Sequence, residues 1–346
     1  MAGELGARTL ARFVLRRILL ALPALLGLVV LTFVLSRVIP GDPAATLAGD
    51  AATPAQIAEI RAQYGLDRPI WEQAIVHLRQ VLTGDFGRSV FSGRPVVEEI
   101  AFRLPATLEL TFAALLISTV LGVGLGLVAA LDHNGPVDHL VRLLSVGGLA
   151  IASFWLAIML QLVFSMELDW LPLRGRIDPT LGAPPDITGF LLLDTLLAGR
   201  LDLFWSALRH LVMPAVTLAL PGLATIARFT RSGVLEALQK DYVLYARAAG
   251  YGRFRLAAIY VLRNAITVTV TQIGLLFGAL ISGAVAVEAV FDWPGLGTYA
   301  VQAILSSDYK ALLAVTLVVG VVYAVVNVMV DVAQALIDPR VAEEMS

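Results

Sequence analysis

Six segments of this chain are apolar and almost free of charge over the length needed to cross a lipid bilayer. The clearest are the uncharged stretches Leu110–Leu131, Leu143–Met166 and Asn264–Val287. About 20 apolar residues span a hydrocarbon core as a helix, and a helix satisfies its own backbone donors and acceptors where no water can. The sequence therefore predicts spans over 14–38, 107–131, 142–166, 211–232, 265–288 and 312–336. A seventh run, Ile187–Leu197, is too short and carries Asp194, which predicts a helix on a loop or at the interface. Only 15% of the 346 residues are charged, against roughly 25% in a soluble domain. The predicted fold class is an all-α membrane protein with six transmembrane helices.

Orientation follows from Lys and Arg near the span ends. Arg8, Arg12, Arg16 and Arg17 precede the first span and place the amino terminus in the cytoplasm. The first run, Ile18–Ser36, lacks a small-x-small cleavage pattern and is read as a retained helix. Six crossings return the carboxyl terminus to the cytoplasm and leave 236–264 inside. That segment and its flanks hold Arg228, Arg231, Lys240, Arg247, Arg253, Arg255 and Arg263 against Glu236 and Asp241. The chain divides into the amino terminus and first span (1–38), an extracytoplasmic helical insertion (39–106) and the core transmembrane domain (107–346). The outer loops are expected to be ordered. Thr53-Pro54 reads as a capped helix start, with Gly65 as its stop. Pro69–Leu82 reads as a second helix, and Phe291-Asp-Trp293-Pro-Gly295-Leu-Gly297 as a turn before a short helix over Thr298–Ser306.

Several function classes are excluded. There is no cysteine, so thiolate nucleophiles and cysteine metal sites are absent. His133 and His139 flank Asn134-Gly135-Pro136 with no carboxylate at ligand spacing, which is a weak metal signal. A formal net charge of −2 argues against nucleic acid. No phosphate loop, GxSxG elbow or HExxH is present. Glu109, Glu288 and Asp331 fall near span ends, where structural pairing outweighs a proton relay. A chain that moves solute uphill with neither an ATP site nor mid-membrane ionisable groups needs a partner to supply energy. The glycines Gly122, Gly124 and Gly126, and Gly274, Gly278 and Gly283, predict close helix packing, whether static or sliding.

The contact surface for such a partner is the charged interruption at 236–264. Residues 234–249 fit one amphipathic helix, with Leu235, Leu238, Tyr242, Tyr245 and Ala249 as its apolar stripe. Glu236 and Lys240 stand at the favourable i,i+4 spacing, and Gly250 ends the helix. Docking into a groove of a soluble protein and lying on anionic headgroups fit this pattern equally.

The stretch Asp241-Tyr242-x-x-x-Ala246-Arg247-Ala248-x-Gly250, followed by Leu262-Arg263-Asn264-Ala265, resembles the cytoplasmic coupling motif of permease subunits of binding-protein-dependent ABC importers. More narrowly it is similar to the dipeptide/oligopeptide/nickel class, first-permease type. Pro40-Gly41-Asp42-Pro43, Gly84-Asp85-Phe86-Gly87-Arg88-Ser89, Leu104-Pro105-Ala106-Thr107-Leu108-Glu109-Leu110, the Phe291–Gly297 turn and Asp338-Pro339-Arg340 agree. Alignment on Gly250 with the wider importer pattern leaves that pattern's glutamate and proline without counterparts. No glutamate-dependent contact is therefore carried over.

The resemblance implies a coupling helix in a multi-pass subunit of the bacterial inner membrane. Asp241, Tyr242, Ala246, Arg247, Ala248, Gly250, Arg253 and Arg255 would meet the ATPase. Implied partners are a second homologous permease, two cytoplasmic ATPase subunits and an extracytoplasmic solute-binding protein. The segments 39–106 and 166–210 would supply docking surface for that last partner. The chain itself would bind no cofactor, ATP and Mg belonging to the ATPase subunits. Peptide is the leading solute, with nickel, glutathione, opines and sugars as alternatives. The polar residues Gln161, Gln272 and Asn327 are candidates for the path or for interhelical hydrogen bonds. A self-sufficient secondary transporter or channel predicts transport by the chain alone, and a membrane enzyme predicts activity of the isolated chain.

Overall fold

The computed structural model describes residues 2–38, 52–63, 67–182, 186–252 and 262–337. The motifs Pro40-Gly41-Asp42-Pro43 and Asp338-Pro339-Arg340, the stop at Gly65, and Arg253 and Arg255 lie outside the described residues. In chain order the α-helices are α1 Ala2–Val38, α2 Pro54–Gln63, α3 Ile70–Thr83, α4 Val96–Leu131, α5 Pro136–Ala150 and α6 Ser153–Leu160. They continue with α7 Leu191–Leu197, α8 Leu201–Leu238, α9 Asp241–Ala248, α10 Leu262–Phe291, α11 Leu296–Leu305 and α12 Tyr309–Ile337. Among the described residues there is no strand, only an isolated bridge between Arg88 and Pro95. Among the described residues five helices are long and apolar enough to cross a bilayer, or six if the bent pair α5 and α6 forms one span.

That bent pair departs from the single span expected over 142–166. The first helix begins at Pro136, and the axis turns by 103° between Ala150 and Ser153. Ile151 (φ −80°, ψ 125°) and Ala152 (φ −66°, ψ 129°) are extended. Gly147 and Gly148 just before the break weaken the helix, and Gly148 lets α5 lie against Leu220 and Ala224 of α8. Beyond α6 a π-helical segment, Gln161–Glu167, continues the chain.

The chain groups into two compact units. The first comprises Met1–Arg17, Arg103–Thr298 and Val325–Ser346. At its centre is α8, which buries Leu211, Ala215, Leu218, Ala219 and Ile226 against α4 and α10, and Ala227 against Ala129 of α4 and Val141 of α5. Glycines set the approach. A Cβ on Gly122 would lie 2.8 Å from Ile226 Cβ, and one on Gly126 only 2.6 Å from the Ala227 carbonyl oxygen. The Gly122 and Gly126 positions, four residues apart on one helix face, bring α4 onto the α8 backbone; Gly124 has open space. Gly274 likewise faces Val330, whose Cγ1 would lie 2.5 Å from a Cβ at that position.

The second unit comprises Ile18–Phe102 and Tyr299–Ala324. Thr53 starts α2 with a reciprocal cap: its N–H and hydroxyl donate to Gln56 Oε1 at 2.8 and 3.0 Å, and the Gln56 N–H returns to Thr53 Oγ1 at 3.4 Å. Gly84, at φ +69°, closes α3. The Gly84–Ser89 motif then folds into a turn fixed on Asp308. This buried carboxylate accepts the Ser89 hydroxyl at 2.6 Å and the Val90 N–H at 2.7 Å, and caps α12 through the Ala311 N–H at 3.2 Å.

Candidate coupling site

The segment 234–249 is two helices, not one. The end of α8 tightens: the Gln239 N–H donates to the Glu236 carbonyl and the Lys240 N–H to the Ala237 carbonyl, each at 3.1 Å. These i→i−3 bonds complete the turn, and α9 starts afresh at Asp241, whose carboxylate suits the positive end of the helix. The Glu236–Lys240 pair forms as expected, at 3.1 Å on the exposed surface.

The two residues between the helices change which face is buried. The expected stripe included Tyr242 and Tyr245, but these are 41% and 80% exposed. Val243 and Ala246 are buried instead, in a cluster with Ala130 of α4 and Val234 and Ala237 of α8. An unbroken helix would keep one phase; a two-residue break resets it. So α9 seats a small apolar face on the ends of α4 and α8 and presents Asp241, Tyr242, Tyr245 and Ala248 away from the bundle. Arg247 lies on the same helix. Gly250 terminates the motif at φ +86°, with the Tyr251 N–H donating to the Ala246 carbonyl at 3.3 Å. That left-handed conformation costs any L side chain.

A buried ion pair stands next to this seat. Asp138, in the first turn of α5, is fully buried. Its Oδ1 accepts from Arg231 Nε at 2.5 Å and its Oδ2 from Arg231 Nη2 at 2.7 Å. The Asn134 N–H donates to Oδ2 at 3.0 Å, and Arg142 Nη2 lies 3.4 Å from it. His133 Nδ1 is 4.0 Å from the same oxygen, and His139 Nδ1 is 2.9 Å from Arg142 Nη2. Both histidines thus sit in an arginine–aspartate network. Among the described residues no group of three or more His, Cys, Asp or Glu is placed to hold a metal. Sequence reading counted Arg231 only as a topology charge and passed over Asp138. A helix start at Gly135-Pro136 with an acid in its first turn was the available signal.

At the other end of the first unit, two of the recognised motifs meet. Thr107 Oγ1 donates to Glu288 Oε1 at 2.6 Å and accepts the Leu296 N–H at 2.8 Å. Glu288 Oε2 accepts the Thr298 N–H at 3.1 Å, and Trp293 Nε1 donates to the Ala106 carbonyl at 2.9 Å. Glu109 accepts from Arg176 Nη2 and Nε at 2.5 and 3.1 Å and from the Leu192 N–H at 2.8 Å. Asp331 pairs with Arg17 at 3.2 Å. Glu109 and Asp331 are therefore ion-paired, and Glu288 anchors the Trp293–Thr298 turn. Asp194 is buried and accepts three N–H groups, from Ile187, Thr188 and Gly189, plus the Thr188 hydroxyl. Of the polar span residues, Gln161 donates through Nε2 to the Leu173 and Val290 carbonyls at 2.9 and 3.2 Å. Gln272 and Asn327 are half-buried in α10 and α12.

Comparison with known proteins decides what this arrangement belongs to. Residues 122–343 match the family described as "Binding-protein-dependent transport system inner membrane component", and residues 10–111 match its N-terminal region. The chain belongs to this family of inner-membrane permeases. It is 43% identical over 315 residues to the probable D,D-dipeptide transport system permease protein DdpB of Escherichia coli K12, covering 91% of this chain and 93% of that one. It is 38% identical to the dipeptide transport system permease protein DppB of Alkalihalophilus pseudofirmus, covering 95% and 98%. With the di/tripeptide permease DppB of Pseudomonas aeruginosa it shares 38% identity over 96% and 99% of the two chains. The chain is thus a multi-pass inner-membrane permease subunit of an ABC importer, a transport subunit without an ATPase site of its own.

Proposed function

We propose that this permease forms half of a translocation path for peptides and that its Asp241–Ala248 helix receives force from separate ATPase subunits. The carrying observation is the way α9 is held. Val243 and Ala246 fix it to the ends of α4 and α8, while Tyr242 and Tyr245 are left exposed. A helix anchored on one face and offered on the other suits a groove on a soluble partner. In this reading both termini and residues 236–264 are cytoplasmic, and six spans cross the membrane with α5 and α6 as a broken third. ATP and Mg are held by the two ATPase subunits, and a second homologous permease completes the path. The segments 39–106 and 166–210 each face the solute-binding protein. Asp241, Tyr242, Ala246, Arg247, Ala248 and Gly250, with Arg253 and Arg255 beyond the described residues, form the coupling segment.

The relatives named as dipeptide and di/tripeptide permeases support peptide as the solute. Gln272 and Asn327 are the proposed polar groups of the path, and Gln161 is assigned to packing because it holds two backbone carbonyls.

Two measurements test this. Arg247→Glu and Gly250→Pro should each abolish ATP-driven uptake by the reconstituted complex; unchanged uptake in both sinks the coupling role. Mass spectrometry of the solute retained by the cognate binding protein should find short peptides. Recovery of nickel, glutathione, an opine or a sugar instead would overturn the peptide assignment.

A further inference from the structure

We propose that the Asp138–Arg231 pair is a positioning clamp that makes α5 follow the coupling helix, so that ATPase movement becomes solute transport. The inference rests on the coupling role given to α9 above. The two residues are 93 positions apart and join different helices: Asp138 the first turn of α5, Arg231 the last two turns of α8. Both guanidinium contacts go to one fully buried carboxylate, the two-point geometry that fixes orientation as well as distance. Seven residues after Arg231, α8 ends at Leu238 and α9 begins at Asp241.

The neighbouring contacts show why a clamp is needed at this point. The coupling helix packs on α8 and shares one buried cluster with Ala130 of α4 and with Val234 and Ala237 of α8. The α4 and α8 backbones are pressed together at Gly126, where a Cβ would also sit 3.1 Å from the Arg231 backbone nitrogen. These three elements move together by packing alone. No such seat joins α9 to α5 in that cluster. At its amino-terminal end α5 is held by the small Ala129–Val141–Ala227 contact and by Asp138. The ion pair is therefore the two-point polar hold on the first turn of α5, whose far end already packs on Leu220 and Ala224 of α8 through Gly148, and beyond α5 lies the 103° turn into α6. Displacing α9 pulls the end of α8. With the clamp closed, the start of α5 moves with it and the load arrives at the Ile151–Ala152 bend. With the clamp open, the first turn of α5 loses its fixed register on α8 while the Gly148 contact persists, and less of the stroke reaches that bend. Buried ion pairs add little net stability, which fits a role in geometry.

The cysteine-free sequence allows a direct test in the reconstituted importer. Asp138→Cys/Arg231→Cys should keep ATPase subunits bound and ATP hydrolysis within about twofold of the parent, while uptake per ATP falls at least about tenfold. A short bis-maleimide bridging the two thiols should restore uptake per ATP. Arg231→Lys, which keeps the charge without the two-point contact, should give an intermediate ratio and provides the same readout should the double variant fail to assemble. Uptake per ATP unchanged in Arg231→Lys, or no recovery on bridging an assembled double variant, overturns the clamp. A Tyr245→Ala control separates the two readings. If it too leaves coupling intact, the role of α9 has failed; if it uncouples while the clamp variants do not, only the clamp has failed.

Discussion

Thr107 and Glu288, 181 residues apart, share a hydrogen bond of 2.6 Å with both side chains buried. The same Thr107 oxygen receives the Leu296 N–H, so one hydroxyl joins α4, the end of α10 and the turn that follows. Gly295 and Gly297 crowd this carboxylate so closely that a Cβ on either would lie within 3 Å of it.

Replacing Thr107 by Val removes a donor and an acceptor while keeping the shape. It leaves Glu288 short of one partner and the Leu296 N–H unpaired, at a cost of about 1–3 kcal/mol. The detergent-solubilised protein should show a lower Tm in Thr107→Val and a near-parental one in Thr107→Ser. Equal Tm values for the two variants would show that the bond does not hold this turn.

The glycines of α4 should differ sharply although they alternate in one short run. A methyl on Gly126 would meet the Ala227 carbonyl oxygen at 2.6 Å and Thr230 Cβ at 2.8 Å, whereas Gly124 faces nothing within 4 Å. Gly126→Ala is expected to destabilise by about 1–3 kcal/mol through overpacking, and Gly124→Ala to be neutral or stabilising by up to about 1 kcal/mol through helix propensity. Thermal melts of the two variants check the contrast.

The spans were legible because lipid demands uniform apolarity over a known length, and the motifs because each has its own spacing. What joins them was not. Leu104–Leu110 and Phe291–Gly297 give no sign in sequence that Thr107, Trp293 and Glu288 meet. The α5–α6 bend is hidden because Ile151 and Ala152 are as apolar as the helices they separate. The buried face of α9 is hidden for a related reason: Gln239 and Lys240 suit a helix interior, so the break that turns Val243 inward and Tyr245 outward has no local signature. Asp138 and Arg231 each look like ordinary surface charges until the fold buries them together.

The loop carrying Asp194 should resist acid down to an unusually low pH. Burial alone would raise this carboxyl, but the Thr188 hydroxyl and the N–H groups of Thr188, Ile187 and Gly189 outweigh burial and hold it below the usual aspartate range. A depressed folded value contributes stability that is fully present above the unfolded value, about 3.9, and is lost as pH falls through the lower folded value. Hydrogen exchange at the 187–189 amides should therefore stay slow from neutral pH to about 4 and accelerate only below it. In Asp194→Asn the same amides should exchange faster at neutral pH, and the acid step should vanish. A step at the ordinary aspartate value in the parent would contradict the assignment.

The α9 helix makes the most discriminating prediction because its two faces should fail in different ways. Val243 is fully buried in the cluster that holds Ala130 and Val234, so Val243→Asp places an unpaired charge in an apolar seat, which costs several kcal/mol or displaces the helix. Tm and ATPase binding should both fall. Tyr245 is 80% exposed, so Tyr245→Ala should leave Tm unchanged and still lower uptake, because only a partner surface senses its loss. Gly250→Ala forces a side chain into φ +86°, at a cost of about 1–2 kcal/mol, and should reduce uptake without disturbing the spans. Melting curves read alongside ATP-driven uptake separate the three outcomes. A Tyr245→Ala protein with parental uptake would mean that the exposed face of α9 meets nothing that drives transport.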